Sequence, residues 1–563
     1  MPRRWASRMA EAPAHPELPV ESNRNKISSK LSRKRSSSSK RTQIECAAGA
    51  KSVCIVGAGL AAMTAARRLH QHGFKVRVVG YCGGRKLGGR CFSEEWDMGA
   101  HRMQGPLKVT KGRRSEANTV RFDTGCQWFT AQNPMFVEEV QRWCSQGYVA
   151  EWQSPRVGRW TCGGFEPLGQ EQMPPIFAGI GGMDRIAEGM VQEIGEDKVL
   201  YAVARRFASD PDTGKYKLSV EMDTANGHLS FIGGNLPQQS ESVVLDEEFD
   251  YVVMAQGLAA KQPRMVDFEN IHAQQVVEFL RENLRYQTLM VLTLVFRKPL
   301  PLPFDVCKPD ASAEIGLVVR ASSKPGMDGG ELETWTVCAS AAFARQFALP
   351  KTKNDGLKAL REAFFRTFGL GEYQQHMVSS HGTPFGLLWP HGQPVRKLAG
   401  GKTAIFCPEA QVGVCADYCG GAPCVQSAVV SALTLADALA SHRHGGPMAD
   451  AVLTHLDVPW EPIPIPMPWT IAHFPGMPTP PTSSLVTLEQ PERCCPTHDW
   501  LGSHPGLVFG RTAALKPWER GEVRRSEPKG MGKGRGKGKR HNKGKKESFM
   551  KQTPYARDVV MGA

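Results

Sequence analysis

The sequence predicts an α/β fold: a wound sheet-and-helix domain carrying a second, mixed-sheet domain, flanked by long tails. Three observations predict it. Val53 to Gly84 reads VCIVGAGLAAMTAARRLHQHGFKVRVVGYCGG, the pattern of a strand, a glycine turn, a helix and a second strand. Mixed strand and helix patterns then continue to about His442. Both ends change composition abruptly, to Ser/Arg/Lys at the start and to Pro, then Gly/Lys, at the finish.

The chain has 563 residues, of which 41% are apolar. That suffices for two to three domains, or for one two-lobed body with tails. Residues 1–51 hold twelve Lys/Arg against four Glu, and Lys529 to Lys546 hold nine Lys/Arg and no acid. These segments carry +8 and +9 of a total of +15, leaving −2 for everything else. The basic balance therefore belongs to the tails, and the body offers no composition argument for nucleic acid. Fifteen cysteines show no framework spacing. With no cleavable apolar signal segment, they predict reduced thiols in an intracellular compartment, cytoplasmic or organellar. Cys407, Cys415, Cys419 and Cys424 cluster in sequence, but without the paired short spacings of a zinc ribbon. They read more simply as small buried hydrophobes. No apolar run is long enough to span a bilayer.

Residues 1–51 are expected to be a disordered basic segment. Strands are expected at Ser52–Val56, Val76–Val79, Tyr251–Ala255, Thr288–Phe296, Thr334–Ala339 and Thr403–Cys407. Helices are expected at Ala61–His72, Pro134–Gln146, Met183–Ile194, Ala273–Asn283 and Val425–His442. Arg102 to Thr119 is polar and reads as an inserted loop. Residues 444–528 are a proline-rich linker, with VPWEPIPIPMPW near its start. Residues 529–563 are a basic low-complexity tail, in which alternating glycine and base prevents helix and sheet. Nucleic acid could be held only there, by charge alone.

Gly57-Ala58-Gly59-Leu60-Ala61-Ala62 follows the first strand and opens the helix. Gly57 permits the tight turn. Gly59 lets a pyrophosphate approach the backbone, and Ala62 lets helix pack on strand. The helix start then offers its unpaired N–H groups and positive dipole end to the phosphates. A dinucleotide site of this kind normally places an acid at the end of the second strand, to bind ribose hydroxyls. Gly80 stands there, and no acid follows until Glu94. Ribose contacts are left to water, backbone, Tyr81 or Arg85.

Leu87-Gly88-Gly89-Arg90 comes next. A glycine turn followed by GGR resembles the pattern of flavin amine oxidases, in which this second segment lies along FAD. Phe122-Asp123-Thr124-Gly125-Cys126-Gln127-Trp128-Phe129-Thr130 resembles the FDTGAQ segment of renalase-like NAD(P)/FAD-dependent oxidoreductases. Pro299 to Asp305 (PLPLPFD), Ser322 to Gly326 (SSKPG), Glu333-Thr334-Trp335 and Trp389 resemble further segments of that family in the same order. Gly413 to Tyr418, then Val425 to Ala428, resembles its last flavin segment, with Asp417 at the position of the aspartate that binds the ribityl chain. Ala416 and Gln426-Ser427 depart from the family's Gly and Glu-Gly. Asp97-Met98-Gly99-Ala100-His101 is a partial second copy of the FDTG start, and the flanks favour Phe122 to Thr130.

The resemblance covers about Ser52 to His442 and implies a glutathione-reductase-like FAD-binding Rossmann domain with a mixed-sheet α+β substrate domain. The FAD domain would take residues 52–257 and 401–443, and the substrate domain 258–400. Pro174 to Met190 would supply a return helix and Phe249 to Ala255 a return strand. The cofactor-binding residues so implied are Gly57, Gly59, Leu60, Ala61, Ala62, Gly88, Gly89, Arg90, Gly125, Gln127, Trp128, Asp417, Tyr418 and Val425. The resemblance also implies noncovalent FAD, hydride transfer from a reduced small molecule such as a nicotinamide nucleotide, and dioxygen as acceptor. No catalytic side chain is assigned, because hydride transfer to flavin needs no strong acid or base. Lys324, Trp335 and Trp389 are candidates for lining the cavity. An amine oxidase on another amine or lipid-like substrate, and a cofactor-less relative acting through its basic tails, remain open.

Overall fold

The computed structural model describes residues 49–80, 87–97, 102–103, 119–169, 173–223, 240–260, 265–328, 330–378, 385–456 and 459–463. Both basic tails lie outside these, as do Tyr81, Arg85 and Met98 to His101. In chain order, the elements that position the site begin with β1 (Ser52–Val56), α1 (Leu60–Gln71), β2 (Lys75–Val79), β3 (Ser93–Asp97), β4 (Thr119–Asp123), α2 (Pro134–Ser145) and α3 (Arg185–Ile194). They continue with β5 (Tyr251–Met254), β6 (Tyr286–Phe296), β7 (Glu333–Ala339), β8 (Phe385–Pro394), β9 (Ala404–Cys407), β10 (Val412–Val414) and α4 (Val425–Arg443).

The first lobe is a Rossmann-type layer. Its seven-stranded sheet runs Val199–Leu200, β2, β1, β5, β10, β9, Val452–Leu453. All neighbours are parallel except β9 and β10. The central strands read as nearly continuous apolar runs, because helices and a second sheet cover both faces. α1 is alanine-rich and lies closely against α3 and α4. At its far end Arg68 Nε and His72 Nε2 both reach Asp437 Oδ1 of α4, at 2.6 and 2.7 Å. α2 starts at Asn133, whose side chain accepts from the Met135 N–H, with Pro134 at the first helical position.

The second lobe is a seven-stranded sheet in the order β8, β6, β7, Ile315–Arg320, Val306–Pro309, Val157–Thr161, Gly164–Pro167. β6 has two faces. Met290, Leu292, Leu294 and Phe296 pack with Trp335 and with Leu360 and Phe364 of the helix Lys353–Thr367 in one core. Val295 faces the other way and packs with Val120 and Phe122 of β4. Two features depart from the sequence expectation. The hairpin Val157 to Pro167 completes the second sheet, although it falls inside the stretch expected to belong wholly to the cofactor domain. The chain also keeps pairing beyond residue 443. Val452–Leu453 extends the first sheet, and Trp460–Pro462 pairs with Arg396–Leu398. Trp460–Pro462 lies in a proline-rich run that reads as linker, and Val452–Leu453 is too short to stand out in the sequence.

The stretch read as an inserted loop begins and ends in strands. β3 pairs with Arg102–Met103 and with β4. Beneath this small sheet, Lys324 from the second lobe reaches the Asp123 carboxylate, and both side chains are almost fully buried. Lys324 also donates to the Gln127 carbonyl and amide oxygens at 3.2 Å. Asp123 further accepts from Ser93 Oγ and from the Met183 N–H at 2.8 Å. A buried ion pair of this kind is costly to break from one side. Lys324→Met is expected to lower the unfolding free energy by about 3–5 kcal/mol, with the double variant carrying Asp123→Asn recovering part of it. Urea denaturation of the four proteins measures this, and additive losses would contradict the coupling.

Candidate functional site

The site grows from the turn between β1 and α1. Gly57 has φ +142°, a region that side chains rarely adopt, and its Cβ would sit 3.2 Å from the Ala255 carbonyl carbon. Gly59 is different. It is the N-cap of α1 with φ −90°, an ordinary extended conformation, and a Cβ there would meet only Gly88 O and Gly89 Cα at 3.7 and 3.8 Å. The protein itself thus has room for a methyl at position 59, so the missing side chain serves space in front of the turn. No side chain caps α1 and no acid lies in its first turn, which leaves its first N–H groups for an outside acceptor. Leu60, Ala61 and Ala62 form that turn and are buried.

Gly80 has a packing reason. A Cβ there would lie 2.6 Å from the Gly57 carbonyl carbon and 2.8 Å from Ala58 Cβ. An acid at this place would have to displace the glycine turn that it is meant to assist. The ribose half of the signature is therefore excluded by how closely β2 ends against the turn.

The second glycine pair docks on the first. Gly88 N–H donates to the Ala58 carbonyl at 2.8 Å, and Gly59 and Gly88 form a parallel bridge. Gly89 follows with its backbone beside Gly59. The Phe122 to Thr130 segment then locks onto Arg90. Cys126 N–H donates to the Arg90 carbonyl at 2.8 Å, and a Cβ on Gly125 would fall 1.9 Å from that same oxygen. The Arg90 guanidinium reaches across the sheet end to Asp417, with Nη2–Oδ1 at 2.6 Å and Nη1–Oδ2 at 2.5 Å. Burial opposes the charge on Arg90, but Asp417, Tyr286 and Cys91 together more than offset it and hold the guanidinium above its usual value.

The other implied residues have structural work. Gln127 is fully buried, and its amide nitrogen donates to the Asp123 and Gly125 carbonyls, both at 2.8 Å. Trp128 is buried edge-on against Trp152. Tyr418 lies in the core against Trp460, and its hydroxyl has no hydrogen-bond partner among the described residues. Val425 is buried at the start of α4. Of the proposed cavity residues, Trp335 belongs to the second core and donates to Glu333 Oε2 at 2.9 Å. Lys324 is the buried partner of Asp123. Trp389 stays half-buried and donates from Nε1 to the Thr124 carbonyl at 3.0 Å. Gln426, which departs from the family pattern, accepts from the Gln132 and Asn133 N–H groups at 2.8 and 2.9 Å and so holds the start of α2.

Burial pushes the Cys415 thiol well up and Cys419 to about 12, and it also raises Cys407 and Cys424. Such thiols stay protonated and are poor metal ligands and nucleophiles. Among the described residues no cluster of His, Cys, Asp and Glu gathers to hold a metal. No helix among them is long and apolar enough to cross a membrane.

Asp184, beside Gly88, is an acid that sequence reading missed. It precedes α3 and touches the space in front of Gly88. Burial pushes its carboxyl up to about 6, although Arg121, whose Nη2 lies 2.6 Å from Oδ1, pulls it back. Glu188 and Asp123 add to the rise.

Residues 55–143 match the family of NAD(P)-binding Rossmann-like domains. Among solved structures, the chain is similar to putrescine oxidase bound to putrescine (12% identity, TM-score 0.42), over 69% of this chain and 98% of that one. It is similar also to cyclohexylamine oxidase from Brevibacterium oxydans IH-35A (14% identity, TM-score 0.38), over 70% and 100%. Likeness of this size carries no argument about activity.

Two outcomes follow from the site's physics. Gly59→Ala is expected to keep the unfolding free energy within about 1 kcal/mol of wild type, whereas Gly57→Ala lowers it by about 1–3 kcal/mol. Equal losses in urea denaturation would mean that Gly59, too, is glycine for the protein's own sake. For Asp184, the folded-state value lies above the unfolded one. Its stabilising share is full below about pH 4 and is lost as pH rises through about 6, by an amount on the order of 3 kcal/mol. Comparing stability at pH 4 and pH 7 for wild type and Asp184→Asn should show the steeper fall in wild type, and parallel profiles would refute it.

Proposed function

We propose that the chain is an FAD-dependent oxidoreductase that oxidises a reduced small molecule by hydride transfer to a noncovalent flavin, with dioxygen as acceptor. The observation that carries this reading is the meeting of three distant segments at one end of the Rossmann sheet. The α1 turn, the Gly88-Gly89-Arg90 segment and Asp417 converge there through the Arg90–Asp417 pair. The residues fit a dinucleotide in kind. Gly59, Gly88 and Gly89 present backbone without side chains, and the first turn of α1 has unpaired donors. Arg90 carries a secured positive charge for phosphate oxygens. Asp417 can accept from hydroxyl groups of the chain between phosphate and ring.

When bound, the flavin supplies the two-electron acceptor. The chain's own residues bind, orient and exclude water. The Lys324–Asp123 pair ties the second lobe to the Phe122 to Thr130 segment, whose Cys126 N–H rests on the Arg90 carbonyl. α4 directs its positive end at the sheet's carboxyl edge, where negative charge would be stabilised. The protonated thiols around Asp417 support noncovalent attachment.

The renalase-like segments make reduced nicotinamide nucleotides the first substrates to test. The likeness of Leu87-Gly88-Gly89-Arg90 to flavin amine oxidases makes simple amines the second class to test. The FAD-loaded protein should be mixed anaerobically with dihydronicotinamide nucleotides and, separately, with simple amines. The expected result is bleaching of the flavin band by one of these classes and about one equivalent of hydrogen peroxide per substrate on admitting air. Bound flavin that no member of either panel reduces would overturn the reading.

A further inference from the structure

Tyr286 stands where no motif placed a functional residue. The helix Ile271–Asn283 ends at Leu284, whose N–H closes on the Leu280 carbonyl, and the chain turns at once into β6. The start of β6 is held on both sides of Tyr286. Arg285 O accepts from the Val395 N–H at 2.9 Å, and Gln287 Nε2 donates to Gln393 Oε1 at 2.8 Å. The His391 ring meets the Tyr286 ring perpendicularly at 5.5 Å. The tyrosine is thereby aimed out of the second lobe with little freedom.

Its target is Gly257, just past the end of β5. A Cβ on Gly257 would lie 1.8 Å from the Tyr286 hydroxyl oxygen. Gly257 has no left-handed backbone to explain it, so the absent side chain answers to the phenol and to Leu284 Cδ2, which a Cβ would meet at 2.6 Å. The hydroxyl interacts electrostatically with both Arg90 and Asp417, and burial keeps it protonated. It makes no hydrogen bond among the described residues, and the side chain stays partly open to solvent. A rigidly held O–H donor without a partner therefore lies beside the ion pair at which three cofactor segments meet.

We propose that Tyr286 is a cofactor-binding residue supplied by the second lobe, its hydroxyl donating a hydrogen bond to an oxygen of the dinucleotide at the Arg90–Asp417 junction. This rests on the FAD reading above. His391 is a positioning residue in this arrangement: its ring packs edge to face on that of Tyr286. The second lobe then contributes to holding the cofactor as well as to covering it, which couples cofactor affinity to how the lobes meet.

The test titrates cofactor-stripped, full-length protein with FAD, followed by flavin fluorescence, for wild type, Tyr286→Phe and Gly257→Ala. Thermal midpoints of the stripped proteins are recorded beside it. Tyr286→Phe is expected to bind FAD about 5- to 10-fold more weakly, with the midpoint of the stripped protein unchanged. Gly257→Ala, which drives the phenol off its place, should show at least as large a loss and serves if the Phe variant does not fold. Affinities within twofold of wild type for the folded variants overturn the inference and leave the FAD reading intact. A loss of affinity matched by a lower midpoint without FAD assigns Tyr286 a structural role and also overturns it. Wild type that takes up no FAD sinks the FAD reading and this inference with it.

Discussion

The ion pair between Arg90 and Asp417 is the constraint on which the site depends. It joins residues 327 positions apart, one just after the second glycine pair and one just after β10. A guanidinium with five fixed donors and a carboxylate with two oxygens fit one another bidentately, so the contact sets orientation as well as distance. From that point the remaining geometry is built outward. Gly125 sits on the Arg90 carbonyl, Gln127 holds the turn after Gly125, and Lys324 pins Asp123 at the head of the same turn. The order of contacts runs from the first lobe through Arg90 to the second lobe without a break.

Much of the first lobe was legible in the sequence. β1, α1 and β2 follow from an apolar run, a glycine turn and alanine-rich helical periodicity, and their ends fall within a residue or two of expectation. β5, β6, β7, β9 and α4 were legible for the same reason. The helix Lys353–Thr367 was missed, although Leu357, Leu360, Ala363 and Phe364 recur in it at helical spacing. So was the hairpin Val157 to Pro167, since nothing in its short strands says which sheet it joins. Pairing partners between distant strands are a property of the packed fold and leave no local mark.

The candidate site divides in the same way. The first glycine turn could be read because its chemistry demands particular residue types at fixed spacing, whereas Gly88-Gly89-Arg90 and Asp417 were singled out only by resemblance to a family. Tyr286, Asp184 and Gly257 could not be read, because each matters through a neighbour far along the chain. Gly80 illustrates the limit from the other side. As a letter it looks like a missing acid, and in the fold it is the only residue type that lets β2 end against Gly57. Gln127, Trp128 and Tyr418 carry the reverse lesson. They sit in motif segments, yet their side chains are spent on the turn and the core.

The central claim is that these converging segments hold one noncovalent FAD in spite of the glycine at position 80. The most direct measurement is the visible absorption spectrum of the purified protein, followed by identification of the chromophore in the supernatant after denaturation. The account predicts a flavin spectrum with close to one FAD released per chain. A colourless protein that also fails to take up added FAD would contradict it.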